Sequence, residues 1–263
     1  MPLIADMGNL REAFLLAARG KACMAAVREF RERLDKELLS ISTQLMDGSY
    51  RFGDYHRFTV YDPKQREICA APFRERVTFH AMMRVCHSVF EAFQVQGSYA
   101  SRKGLGTYKA LEQAQSYCKR YQWFLKMDVQ GFFASIRHDC MKTMLARLFK
   151  DKLLLSYFDI LIDGYEVTPG RGLPIGNLTS QYFANHYLAV ADHYAKENLH
   201  FGPMVRYMDD VVIWGNNPDE LQCKASAYRD YLDKTLRLTL HPFCMNRTRM
   251  GMPFLGYVVI VKK

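Results

Sequence analysis

The stretch that most constrains this chain is Val205-Arg206-Tyr207-Met208-Asp209-Asp210-Val211-Val212-Ile213-Trp214, two adjacent carboxylates between two short apolar runs. Asp is a poor strand former, and neighbouring anions flanked by Val, Ile and Trp are costly to desolvate unless a turn or a cation compensates them. The stretch therefore reads as a hairpin whose tip carries Asp209 and Asp210, suited to a metal ion. Each Asp alone is also an ordinary turn residue, so this reading needs a further acidic position elsewhere.

Trp123-Phe124-Leu125-Lys126-Met127-Asp128-Val129-Gln130-Gly131-Phe132-Phe133 supplies one, because another apolar run ends on a single carboxylate, Asp128. Mg²⁺ prefers oxygen ligands, keeps several waters, and is usually held by one or two carboxylates plus substrate phosphates. Asp128, Asp209 and Asp210 are the candidate ligands.

Composition narrows the alternatives. With 263 residues, 49% of them hydrophobic, the chain can bury a sizeable core. The seven cysteines are odd in number, scattered and without a CxxC pair, which argues against a zinc site and a disulfide framework. A net charge of +9 favours a polyanionic partner. No apolar stretch is long enough to span a bilayer and the first residues lack a signal-peptide pattern, so a cytoplasmic location and no membrane partner are expected.

Along the chain, residues 8–46 read as two helices around Gly20. A basic hairpin follows, with strands at Phe58-Thr59-Val60-Tyr61 and near Glu67 to Ala71, a turn at Asp62-Pro63, and Lys64 and Arg66 at the tip, placed to grip triphosphate oxygens. A helix from Phe73 to Phe93 leads to the basic glycine loop 98–107, whose spacing matches neither GxGxxG nor GxxxxGK[ST]; Arg102 and Lys103 are expected to contact nucleic-acid phosphates. Helices are expected at 108–121, 138–149, 153–163, 182–197 and 218–236, with a Gly/Pro-rich loop at 168–181. Leu238-Thr239-Leu240 reads as a short strand and 252–260 as a final strand or strand pair. The alternation predicts an α+β fold with helices on one face of the sheet.

The basic hairpin near Lys64 and Arg66, Lys126-Met127-Asp128, Gly172-Leu173-Pro174-Ile175-Gly176, Tyr207-Met208-Asp209-Asp210 and Phe254-Leu255-Gly256-Tyr257, in this order, resemble a reverse transcriptase over nearly the whole chain. The resemblance implies a right-hand polymerase. Fingers would span 1–120 with 160–185, an antiparallel palm sheet backed by helices 121–250, and a primer-grip strand 251–263. The sequence stops just past that grip, so a thumb is expected to be absent, removed or supplied by another chain.

The implied activity is RNA-directed DNA polymerisation, a nucleotidyl transfer using two Mg²⁺ ions or Mn²⁺, with an RNA template, a DNA or RNA primer and dNTPs as partners. The Val129 carbonyl would add a metal ligand, and Phe133 would pack under the incoming sugar. Ile175 and Gly176 would lie beside the nascent pair, with Ile175 where relatives place Gln. Tyr207, Met208, Phe254, Leu255, Gly256 and Tyr257 would contact template and primer. No clear lysine is available to protonate pyrophosphate, leaving Arg247 or Arg249.

Ile175-Gly176-Asn177-Leu178-Thr179-Ser180-Gln181 resembles the reverse transcriptases of bacterial diversity-generating retroelements, which implies error-prone copying and an accessory variability protein. The alternatives are a defence-associated antiviral or other bacterial reverse transcriptase, and an inactive RNA-binding module. Three clustered anions disfavour the last.

Overall fold

The computed structural model describes residues 1–61 and 65–261. Its elements run α1 (Pro2–Ala5), α2 (Met7–Ala18), α3 (Ala25–Glu32), α4 (Leu34–Asp47), β1 (His56–Tyr61), β2 (Gln65–Ala70), α5 (Phe73–Phe93) and α6 (Thr107–Arg120). Then come β3 (Trp123–Asp128), α7 (Phe132–Ser135), α8 (His138–Leu148), α9 (Lys152–Asp163), α10 (Leu178–Glu197), β4 (Met204–Tyr207) and β5 (Asp210–Gly215). The last are α11 (Pro218–Tyr231), β6 (Cys244–Arg247), β7 (Met252–Phe254) and β8 (Tyr257–Val259). No described helix is long and apolar enough to cross a membrane.

The chain divides into two compact units, one of Met1–Ala92 and Met141–Phe183, the other of Phe93–Cys140 and the residues from Ala184 onward. In the first, the two helices expected around Gly20 over 8–46 are three, α2, α3 and α4, with the short α1 before them. The Asp6 side chain caps α2 by accepting from the Asn9 amide at 3.0 Å, and the chain breaks again at Arg33. Phe14, Phe30 and Phe73 pack as an aromatic trio at its core, with ring centroids 5.2 to 6.1 Å apart. The hairpin β1–β2 pairs from His56↔Ala70 to Tyr61↔Gln65, as expected. The turn at Asp62-Pro63 and Lys64 lie outside the described residues.

The second unit is organised by an antiparallel sheet in the order β4-β5-β3-β6. Covering one face only, as expected from the sequence, does not hold. Val211-Val212-Ile213-Trp214 is buried throughout, so both faces are covered. Phe124, Val205, Val212 and Trp214 meet α6 and the hairpin β7–β8 on one face. Arg206 and Val211 point to the other, where Arg206 meets Asp192 of α10. α6 presents Ala110, Ala114 and Cys118, spaced four apart, as a stripe of small side chains that seats closely on the sheet. This packing places α6 in the sheet's unit, so the expected boundary at 120/121 falls inside that unit.

Residues 238–240 do not form the expected strand. After a π-helical turn at Leu232–Leu236, Arg237 is left-handed (φ 55°) and the Leu238 amide bonds the Leu232 carbonyl at 3.1 Å. That helix ending leaves only Leu240 to pair, as an isolated bridge to Val129.

Candidate active site

β3 and β5 end together, and their register sets Asp128 directly opposite Asp210. The Asp128 carbonyl accepts the His241 amide at 2.8 Å on the far side of the strand. Asp128 and Asp210 are therefore a non-hydrogen-bonded pair, the kind in which opposing side chains come closest. β4 and β5 are joined by the two-residue turn Met208-Asp209, and Tyr207 pairs with Asp210 across it. The sheet thus places Asp128, Asp210 and Tyr207 in one row with Asp209 beside them at the turn.

Like charges directly opposite each other destabilise a sheet, and basic side chains approach both of them here. The Lys126 ammonium lies 2.8 Å from Asp210 Oδ1, and His241 Nε2 lies 4.0 Å from Asp128 Oδ2. Among the described residues no three His, Cys, Asp or Glu side chains converge into a finished metal cage. An all-oxygen set open to solvent nevertheless suits Mg²⁺, which fills its remaining positions with water and substrate phosphate. Because Asp128 and Gln130 bond toward residues 239–241, strand alternation turns the Val129 carbonyl to the opposite edge, toward β5.

The other expected residues fall in several places. Tyr207 accepts a hydrogen bond from the Thr107 hydroxyl at 3.1 Å, and Met208 is left-handed at φ 53°. Phe133, half-buried in α7, packs edge-on against Phe132 at 5.7 Å. Arg102 donates to the Val95 and Ser98 carbonyls, each at 2.9 Å, and so braces the basic loop, whereas Lys103 is exposed. Phe254 and Tyr257 pair across the turn Leu255-Gly256, both left-handed (φ 51° and 81°), the pattern of a type I′ hairpin.

Arg247 stacks over the Trp123 ring at 5.0 Å and pairs with Trp123, at the opposite end of β3 from Asp128. Five residues of strand, roughly 16 Å, separate those ends. Neither Arg247 nor Arg249, which follows it, is therefore placed to serve the carboxylates. A cleft of about 370 Å³ lined by Tyr121, Phe201, Trp214 and Lys224 also lies at that far end.

Arg66, Ile175 and Gly176 belong to the other unit. Arg66 is exposed on β2 opposite Val60. The Ile175 carbonyl accepts the Cys69 amide at 2.8 Å, and Gly176 (φ 115°) passes so close that a Cβ would meet Ile68 at 3.0 Å.

Sequence reasoning missed Lys126, His241 and Arg206. Lys126 was within reach of it, since a residue two before Asp128 must share its face. Arg206 is fully buried, as is its partner Asp192, whose carboxyl is pushed up by burial against the opposing pull of the Arg206 charge. On the same helix, burial lowers His186 to about 4.

A family model described as "Reverse transcriptase (RNA-dependent DNA polymerase)" matches residues 66–259. The chain belongs to the reverse transcriptase family. Among curated relatives, this reverse transcriptase is 22% identical over 171 residues to the "Putative COX1/OXI3 intron 1 protein" of Saccharomyces cerevisiae, covering 62% of the chain and 20% of that protein. It is 25% identical over 153 residues to the "Uncharacterized 91 kDa protein in cob intron" of Schizosaccharomyces pombe, covering 54% of the chain and 19% of that protein. It therefore spans about a fifth of the length of these relatives. Its fold is similar to apo telomerase from Candida tropicalis, with TM-score 0.60 and 11% identity over 81% of this chain and 49% of that one. The complex of the same telomerase with a telomeric RNA fragment gives 0.58 and 10% identity, over 84% and 47%. The likeness to telomerase supports the α+β fingers-and-palm fold expected from the sequence.

Proposed function

We propose that this chain copies RNA into DNA, joining a primer 3′-hydroxyl to the α-phosphate of an incoming dNTP with loss of pyrophosphate. The observation that carries the reading is the row of carboxylates: Asp128 facing Asp210 across two strands, with Asp209 at the adjoining turn. Asp128, Asp209 and Asp210, with the Val129 carbonyl, would hold the divalent cations. When bound, such ions lower the pKa of the primer hydroxyl and clamp the triphosphate. Lys126 balances the Asp210 charge and orients that carboxylate. Thr107 fixes the Tyr207 hydroxyl beside the turn. The exposed Arg66 offers a planar fork to phosphate oxygens.

The test is primer extension on an RNA template with dNTPs and Mg²⁺ or Mn²⁺. Asp209→Ala should reduce extension at least about a thousandfold, since such metal sites supply several kcal/mol of transition-state stabilisation. Wild-type and variant proteins that both bind RNA and neither extend a primer would favour the binding module instead.

A finer reading rests on Ile175. Its side chain lacks the hydrogen-bonding group of glutamine, so base selection leans on pairing itself, which supports error-prone copying in a diversity-generating retroelement with an accessory variability protein. Error spectra for Ile175→Gln test this, with fewer substitutions opposite adenine as the expected result. A neighbouring variable repeat and template repeat would favour the retroelement over the defence role.

A further inference from the structure

The buried arginine behind the catalytic turn has a task that core packing does not explain. Arg206 Nε donates to Asp192 Oδ2 at 2.6 Å, and Nη1 to Asn185 Oδ1 at 2.7 Å and to the Met208 carbonyl at 3.1 Å. Nη2 reaches Gln94 Oε1 at 3.2 Å and the Asn185 carbonyl at 3.4 Å. Its backbone is pinned as well, the amide to the Gly97 carbonyl at 2.7 Å and the carbonyl to the Tyr99 amide at 2.9 Å.

A buried ion pair is a poor way to stabilise a core, because desolvating both charges offsets their attraction and apolar residues of similar volume often do as well. Among the described residues Asp192 Oδ1 has no hydrogen-bond partner, so this network is not saturated for stability either. What apolar residues cannot do is hold a carbonyl. Met208 is a bulky residue at φ 53°, a conformation rare outside glycine, and its carbonyl accepts from Arg206 Nη1 at 3.1 Å, closer than the Asn185 carbonyl. The next residue is Asp209.

Resting on the polymerase reading above, we infer that Arg206, oriented by Asp192 and Asn185, is a positioning residue that locks Met208 in its left-handed conformation and thereby places Asp209. The planar guanidinium reaches all these acceptors at once, which the three donors of lysine cannot match in direction. The strand that bears Arg206 also pairs with residues 97–99, so the basic loop carrying Arg102 and Lys103 is built onto the same anchor.

Arg206→Lys tests this. It should fold, keep its dNTP KM, and lose about a hundredfold in single-turnover rate, the scale of a catalytic group displaced by an ångström. Adding Met208→Gly should restore about tenfold of that rate, because glycine adopts the left-handed conformation unaided. In [¹³C-methyl]methionine spectra the Met208 resonance, assigned with Met208→Leu, should shift or broaden in Arg206→Lys.

An unmoved Met208 resonance, a rate loss that glycine does not relieve, or failure of both variants to fold would overturn the inference. Failure to fold would make the network a core element. If the wild type itself extends no primer, the polymerase reading fails separately, and the Met208 resonance still decides the positioning role.

Discussion

The hairpin β4–β5 buries nearly all of both strands, whereas β1–β2 leaves every residue of its first strand exposed, including Phe58, Val60 and Tyr61. Both are antiparallel hairpins with charged residues at or near the tip. The buried one has layers on both faces and a guanidinium behind its turn, so its carboxylates have little freedom. An isolated two-stranded hairpin is marginal in water, and β1–β2 is secured at its base, where buried Cys69 meets Ile175 and Gly176. Under the function proposed above, burial of the strands fixes the backbone that carries the half-buried carboxylates, and exposure presents Arg66 to a ligand arriving from solvent.

Four substitutions would break or sharpen this contrast. Trp214→Ala, in the fully covered strand, should cost about 3–5 kcal/mol in urea unfolding; a loss below 1 kcal/mol would mean that β5 is not the rigid member. At the base of the exposed hairpin, Gly176→Ala should cost about 1–2 kcal/mol, from the left-handed backbone and the contact with Ile68. Out on the hairpin, Phe58→Ala should stay within about 0.5 kcal/mol of wild type. On that same strand pair, Arg66→Ala should raise the dNTP KM about tenfold, the worth of one charge-assisted hydrogen bond, without moving the melting temperature. A KM unchanged by that variant would remove Arg66 from the triphosphate.

The carboxylates were legible in the sequence because apolar runs stop on them, and the hairpin form of 204–215 followed from the cost of desolvating Asp209 and Asp210. Their cross-strand register was not, since it depends on how β3 and β5 meet. Arg206 escaped notice because one arginine in an apolar run gives no sign of whether it is buried, and Gln94, Asn185 and Asp192 are scattered over a hundred residues. The glycine spacing and charge of the loop 98–107 point Arg102 at phosphate, whereas its guanidinium is engaged by the Val95 and Ser98 carbonyls. The break at Arg33 was invisible for a similar reason, because arginine is a good helix former.

The indole N–H of Trp214 donates to the Cys118 sulfur at 3.3 Å, deep between the sheet and α6. Thiols quench indole fluorescence on contact, and Trp123 is the chain's only other tryptophan. Separation of α6 from the sheet should therefore brighten and red-shift the emission. The protein carries its own optical gauge of the scaffold beneath its carboxylates, readable without a label.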